Sequence, residues 1–325
     1  MEYTTLGNSG TKVSRICIGT NTFGGDADWH LSTTEAQAVV DTAIEHGINF
    51  FDTANAYNDG ASERVLGETL AEYDRDRQVV ATKVRFPMDE GNPNSGGLSR
   101  KAIEQELANS LDRLGMETID LYQIHRWDEG TPIEETLRTL TDAVRRGRVR
   151  HLGASSMWAH QFATALHTAQ RGGHEPFVTM QNHYNLAYRE EEREMVPFCE
   201  KRDVGLIPWS PLARGFLARP HEELEATVRG ATDEHLHGRV ETYAANGGLE
   251  INERVEELAA QKGVKMAQIG LAWLLHQDAV DAPIVGARKP EYVVDAVEAL
   301  NVELSDSDLE WLAEPYEPVP VEGHE

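Results

Sequence analysis

Ile119-Asp120-Leu121-Tyr122-Gln123-Ile124-His125 is an apolar run of strand length that ends on a histidine. Stretches with helical period flank it, Ser99 to Leu114 before and Ile133 to Arg146 after. A strand covered on both faces reads this way, because neither side has to meet water. The same alternation continues in both directions. Upstream lie the β-rich runs Arg15 to Gly19, Asn49 to Thr53 and Gln78 to Val84; downstream lie Arg148 to Ala154, Phe177 to Gln181, Gly205 to Trp209 and Ala282 to Val285. Between them fall Thr33 to His46, Ser62 to Tyr73, Ala159 to Gln170, Glu190 to Lys201, Met266 to His276 and Pro290 to Leu300, all of helical period. Ser32-Thr33-Thr34-Glu35 and Leu98-Ser99-Arg100-Lys101 have the chemistry of helix starts, and Gly47, Gly115, Gly147 and Gly263 stand where helices should stop. Eight strand and helix pairs in alternation point to a parallel sheet, either closed as a barrel or open and doubly wound.

Two features favour closure. No Gly-x-Gly-x-x-Gly follows any of these strands and no Gly-x-x-x-x-Gly-Lys-[Ser/Thr] occurs, so the open dinucleotide fold lacks its main signature. The polar residues that interrupt the apolar runs gather at strand C-terminal ends: Asp52, Lys83, His125, Ser155 with Ser156, Gln181 and Ser210. In barrels those ends carry the active site. The opening Thr4-Thr5-Leu6, Gly7-Asn8-Ser9-Gly10 and Lys12-Val13-Ser14 reads as a β-hairpin suited to plug the opposite end. A polar stretch between Gly215 and Gly248 reads as a long functional loop after the seventh barrel strand. No linker or shift in composition divides the chain. The expected fold is therefore an α/β (β/α)8 TIM barrel with an N-terminal hairpin, formed by residues 1–325 as one domain.

Composition narrows the function. Over 325 residues, 55 acidic against 30 basic side chains give a formal net charge of −25. Such a field disfavours nucleic acid and anionic membrane as partners. The short basic cluster Arg145-Arg146-Gly147-Arg148 falls at a helix end, where cations complement the dipole. Only seven of the basic residues are lysines. An acidic excess with few lysines suits a chain that must stay hydrated in concentrated salt, and a halophilic host is expected. Apolar runs such as Ile269 to Leu275 fall well short of the roughly 18 residues of a membrane span, and Met1-Glu2-Tyr3-Thr4-Thr5 has no export-signal pattern. A cytoplasmic protein is expected, with Cys17 and Cys199 as reduced core thiols.

Three successive strand ends hold Asp52 to Tyr57, Thr82-Lys83 and Tyr122 to His125. Closure of a barrel brings such ends to one cavity. A buried lysine paired with an aspartate is a fixed positive charge, which favours phenolate on a nearby tyrosine and so lowers its pKa. A tyrosine tuned in this way acts as general acid toward a carbonyl oxygen. Other chemistries find little support. His221, His235 and His237 lack the spacing of a metal site, and no Gly-x-Ser-x-Gly marks a serine nucleophile.

The sequence resembles the aldo-keto reductases along essentially its whole length. Asn49-Phe50-Phe51-Asp52-Thr53-Ala54-Asn55-Ala56-Tyr57, then Gly60-Ala61-Ser62-Glu63-Arg64-Val65-Leu66-Gly67, carries the resemblance, with Asp120-Leu121-Tyr122-Gln123-Ile124-His125 and Trp209-Ser210-Pro211-Leu212. Gly153 to Trp158 and Trp209 to Gly215 are most similar to the branch of aryl-alcohol dehydrogenases and versiconal-type reductases. The resemblance implies extra C-terminal helices and a catalytic tetrad of Asp52, Tyr57, Lys83 and His125, with Tyr57 as proton donor. It implies a nicotinamide cofactor across the barrel mouth: Ser155 and Gln181 on the carboxamide, with Ser156 where relatives usually have Asn, and Trp209 stacked on the ring. Ser210, Leu212 and Arg214 would line the pyrophosphate. Val285 to Tyr292, with Gly286, Arg288 and Lys289, matches the last cofactor loop. A helix N-terminus beside Arg and Lys suits a ribose 2'-phosphate, which favours NADP(H). Tyr292 and Ala296 replace residues usual at the adenosine end, so NAD(H) stays open.

The implied activity is reversible reduction of a small-molecule aldehyde or ketone; the alternative is a cofactor-binding sensor or regulatory subunit of the same fold. Substrate choice would rest on Asn21 to Leu31, Arg126 to Thr131 and Gly215 to Gly248, where Trp29 and Trp127 suggest apolar walls.

Overall fold

The computed structural model describes residues 1–226, 241–321 and 323–324. An antiparallel hairpin, β1 (Tyr3–Thr5) and β2 (Lys12–Ser14), opens the chain. Eight parallel strands follow: β3 (Cys17–Gly19), β4 (Phe50–Asp52), β5 (Val79–Val84), β6 (Ile119–Ile124), β7 (Val149–Ser155), β8 (Phe177–Gln181), β9 (Gly205–Leu206) and β10 (Ile284–Gly286). They are ordered β10-β3-β4-β5-β6-β7-β8-β9. Parallel bridges Leu206 to Val280 and Trp209 to Ile284 join the two ends of the sheet and close the ring. The helices are α1 (Thr33–Glu45), α2 (Ala61–Leu70), α3 (Arg100–Leu114), α4 (Ile133–Arg145), α5 (Ala159–Gly172), α6 (Met195–Lys201), α7 (Leu249–Lys262), α8 (Met266–Leu275), α9 (Pro290–Glu298) and α10 (Asp306–Ala313).

Local chemistry explains the boundaries. Ser32 caps α1 in a reciprocal box with Glu35, Ser99 accepts the Ala102 amide at the start of α3, and Gly115 and Gly263 end α3 and α7 in left-handed conformation. The seventh barrel strand, expected over Gly205 to Trp209, has a regular ladder only at Gly205–Leu206. Pro208 has no N–H to give, and the chain rejoins the sheet through isolated bridges at Trp209. The eighth shifts to Ile284–Gly286 just after Pro283 for the same reason. The helix expected over Glu190 to Lys201 divides into a 3-10 turn, Glu190–Arg193, and α6, with Glu194 at φ −142° between them. Pro197 cannot bond back to the Arg193 carbonyl and its ring would clash there. Helix α10 follows the last strand and helix pair as the extra C-terminal element, and α7 is a further helix inserted between β9 and α8.

Side-chain alternation along the strands sorts two cores. Phe51, Val80, Tyr122 and Leu152 pack outward with the helices, whereas Cys17, Phe50, Val79, Ala81 and Leu121 fill the barrel with Leu6 and Val13 of the hairpin. The hairpin thus plugs the N-terminal end, as expected. Gly7 makes that seat possible: its φ is +51° and a Cβ there would lie 1.9 Å from the Val178 carbonyl oxygen. The centre of the loop expected between Gly215 and Gly248, with His235 and His237, lies outside the described residues.

Candidate active site

The inward row of each strand turns polar as it reaches the C-terminal end. Phe50 is followed two residues on by Asp52, Ala81 by Lys83 and Leu121 by Gln123, and β4, β5 and β6 are adjacent. Period-two geometry therefore sets these three polar side chains beside one another above an apolar floor. Lys83 has no exposed surface and Asp52 almost none. The Lys83 ammonium donates to Asp52 Oδ1 at 2.6 Å, to the Thr53 carbonyl at 2.8 Å and to the Tyr57 hydroxyl at 3.1 Å. The other carboxylate oxygen, Asp52 Oδ2, accepts from Gln123 and Gln181, each at 2.9 Å. Burial alone would lower the Lys83 pKa; the Asp52 carboxylate, and Tyr57 after it, outweigh that and hold it raised.

His125 stands edge-on to Tyr57, ring centroids 5.7 Å apart, and edge-on to Phe86 at 4.8 Å. Burial, then the cations Lys83, Arg126 and Arg85, push its pKa well below the usual imidazole range. It is a neutral donor at physiological pH. The four tetrad residues proposed from the sequence therefore stand together, and all but the buried Lys83 line one cavity of about 780 Å³.

Ser155, Gln181, Trp209, Ser210, Leu212, Arg214, Gly286 and Arg288 line the same cavity. Ser155 donates to the Gln181 carbonyl at 3.0 Å. Gln181 spends its amide N–H on Asp52, and its amide oxygen has no partner among the described residues. Trp209 stacks one ring face on His183, 4.2 Å and 10° from parallel, and His183 stacks in turn on Tyr188. The indole N–H donates to Ser156 Oγ at 3.0 Å. Ser156 is thus buried at the edge of the indole and does not line the cavity, and Lys289, exposed at the N-cap of α9, does not line it either. Ser156, Ser210, Ala213 and Arg214 all have positive φ, as do Asn58 and Asp59 after Tyr57. Strained backbone of this kind collects at functional sites.

Sequence reading assigned no role to Gln123, although its place in the inward row beside Lys83 was the available signal. Arg126 also lines the cavity, next to His125, with Nη1 3.4 Å from Ser155 Oγ. At the α9 side, Lys265 and Asp295 line the cavity as an ion pair of 2.6 Å. Nothing in the sequence pattern joins them, since they lie 30 residues apart.

Taken together, the site holds a fixed cation, a phenol against it, a neutral imidazole beside the phenol, and a stacked indole on one wall. This set can protonate and polarise a carbonyl oxygen. Residues 15–317 match the model of the aldo/keto reductase family. A Schizosaccharomyces pombe protein that carries the name of an aryl-alcohol dehydrogenase is 42% identical, covering 99% of this chain and 97% of its own length. Versiconal hemiacetal acetate reductase of Aspergillus parasiticus is 40% identical over 98% of each chain. An aldo-keto reductase of Fusarium vanettenii is 39% identical, covering 100% of this chain and 93% of its own.

Proposed function

The chain belongs to the aldo/keto reductase family, and from that premise we propose that it is an NADP(H)-dependent enzyme in which Tyr57 is the general acid for carbonyl reduction. The observation that carries the reading is the Lys83 ammonium, 2.6 Å from Asp52 and 3.1 Å from the Tyr57 hydroxyl on the cavity wall. Negative charge that develops on the phenol oxygen as it gives up its proton is stabilised by that ammonium. His125, neutral and adjacent, orients and polarises the substrate oxygen without adding a second full charge.

The cavity suits a nicotinamide nucleotide. The Gln181 amide oxygen is an acceptor without a partner among the described residues, as a carboxamide N–H requires, and Trp209 offers an indole braced from behind. Ser155, Gln181 and Trp209 would hold the nicotinamide, Ser210, Leu212 and Arg214 the pyrophosphate, and Gly286 and Arg288 the adenosine end. The bound nucleotide supplies the hydride. The guanidinium of Arg288 at the start of α9 supports a 2'-phosphate and hence NADP(H). The substrate class proposed is small aldehydes and ketones, in line with the names of the relatives. The buried free thiols Cys17 and Cys199 support a cytoplasmic site of action, and the acid excess supports a salt-rich one.

Titration with NADPH and with NADH in molar salt, followed by single-turnover oxidation with 4-nitrobenzaldehyde, tests the reading. The expected result is tighter NADPH binding, rapid oxidation by the wild type, and loss of most turnover in Tyr57→Phe with cofactor affinity nearly unchanged. Wild-type turnover in Tyr57→Phe removes the assignment of the acid. Tight cofactor binding without turnover across an aldehyde panel replaces the enzyme with the sensor reading.

A further inference from the structure

Tyr57 sits at the head of a tight 3-10 turn, Tyr57–Gly60, in which Asn58 and Asp59 both take left-handed backbone. Such a turn does not hold itself, because non-glycine residues resist that conformation. Asn58 ties one edge of it to the Asn21 and Phe23 carbonyls. The other edge rests on a buried side chain from α3. Gly60 has φ +81°, and a Cβ there would lie 2.6 Å from Cδ and 2.8 Å from Nε of Arg113. The Arg113 side chain therefore fills the space over Gly60.

Arg113 is held in turn by buried carboxylates. Its Nε donates to Glu63 Oε2 at 2.6 Å, and its Nη2 stands 3.6 Å from Glu106 Oε2. The side chains of Glu63, Glu106 and Arg113 are 0, 5 and 10% exposed. Both acids also bind the strand ends that carry the tetrad. Glu63 Oε1 accepts from Thr82 Oγ1 at 2.5 Å, one residue before Lys83. Glu106 accepts from Asn55 Nδ2 at 3.0 Å, and the Asn55 backbone N–H donates to the Lys83 carbonyl at 3.3 Å. One guanidinium thus connects the turn bearing the phenol to the strand bearing the ammonium.

We propose that Arg113 is a positioning residue: its buried pairing with Glu63 and Glu106 fixes the Tyr57–Gly60 turn against β5 and so sets the phenol at the Lys83 ammonium. The inference rests on the reading of Tyr57 as the acid. Arg113 touches neither the cavity nor the tetrad side chains directly, so its loss should lower turnover and leave cofactor binding alone.

The variants are Arg113→Lys, which keeps the charge and loses the fork, and Glu63→Gln/Arg113→Met, which removes opposite buried charges together. Each is measured for NADPH affinity, kcat, KM and the pH profile of kcat, and its crystal structure gives the distance from the Tyr57 hydroxyl to Lys83 Nζ. A displaced phenol lowers kcat on the order of tenfold or more in the double variant and about threefold in Arg113→Lys. The expected result is that fall with unchanged NADPH affinity and KM, a displaced acidic group in the pH profile, and a lengthened phenol–ammonium distance. A folded variant that keeps wild-type kcat and the 3.1 Å contact overturns the proposal. So does a loss of rate matched by an equal loss of NADPH affinity, which marks general loosening. Should the double variant not fold, Arg113→Lys decides alone by the same readings. A wild type with no turnover refutes the reductase reading, and the crystallographic distance then still judges the positioning role.

Discussion

A lysine with no exposed surface is tolerated here because every proton on its nitrogen has a named acceptor: Asp52, the Thr53 carbonyl and Tyr57. An ammonium taken out of water without such partners would cost far more than a fold can return. The same balance predicts what happens when it is broken. Lys83→Met leaves the Asp52 carboxylate buried with only the Gln123 and Gln181 amides, and stability should fall by about 3–5 kcal/mol. Adding Asp52→Asn removes the stranded charge and should recover most of that loss. Urea unfolding midpoints of the wild type and both variants measure the difference. Equal midpoints for the single and double variants would show that the pair is not what holds this end of the barrel.

At the scale of elements, the hairpin plug is coupled to the barrel floor by one carboxylate. Asp281 accepts the Gly7 amide at 2.6 Å, and burial pushes its pKa up to about 6, with the Gly7 N–H and Arg15 opposing. The folded state therefore holds this proton where the unfolded chain, near 3.8, has released it. Stability from the group is complete below about 4 and is lost as pH rises through about 6, by about 3 kcal/mol at most. Asp281→Asn keeps an acceptor for Gly7 and cannot ionise. The stability of wild type minus variant should therefore decline between about pH 4 and pH 7 and level off above. A flat difference would show that Asp281 is not protonated in the fold. The same scale explains what was legible beforehand. Strands with both faces covered announce themselves as apolar runs, and polar residues ending the inward rows, such as Asp52 and Lys83, marked the site. Gln123 carried only a positional signal, two residues after Leu121 in the inward row, and an amide there gains a partner only when register places it beside Lys83. The Glu63 and Arg113 pairing was hidden for a related reason: 50 residues separate them, and only the packing of α2 on α3 brings them together. Prolines shortened β9 and divided the Glu190 to Lys201 segment, effects that depend on which carbonyl lacks its donor and not on hydrophobic period.

For the molecule as a whole, a formal charge of −25 has to be carried on a surface that wraps a compact barrel. Many of the ion pairs that offset it have a half-exposed or exposed partner, as in Arg77 with Asp74 or Arg146 with Glu104. Exposed pairs of that kind contribute about 1 kcal/mol or less each. The repulsion they oppose is spread over all the remaining acids and acts over about 8–10 Å at physiological ionic strength. Near 1 M salt that range shrinks to about 3 Å, so long-range repulsion is screened while the buried pairs Lys83–Asp52 and Arg113–Glu63 keep their strength. Screening must then favour the folded state. The thermal midpoint should rise by a few degrees, roughly 1–2 °C for each kcal/mol in a chain of this length, between about 0.05 M and about 2 M sodium chloride. Chloride is the better salt for this test than sulfate, which stabilises proteins by exclusion from their surface whatever their charge. A variant with several exposed acids changed to their amides should show a higher midpoint at low salt and a smaller rise. If wild type and variant respond to chloride alike, or neither responds, the acid excess contributes solubility alone and the proposal of a salt-rich setting loses its physical basis.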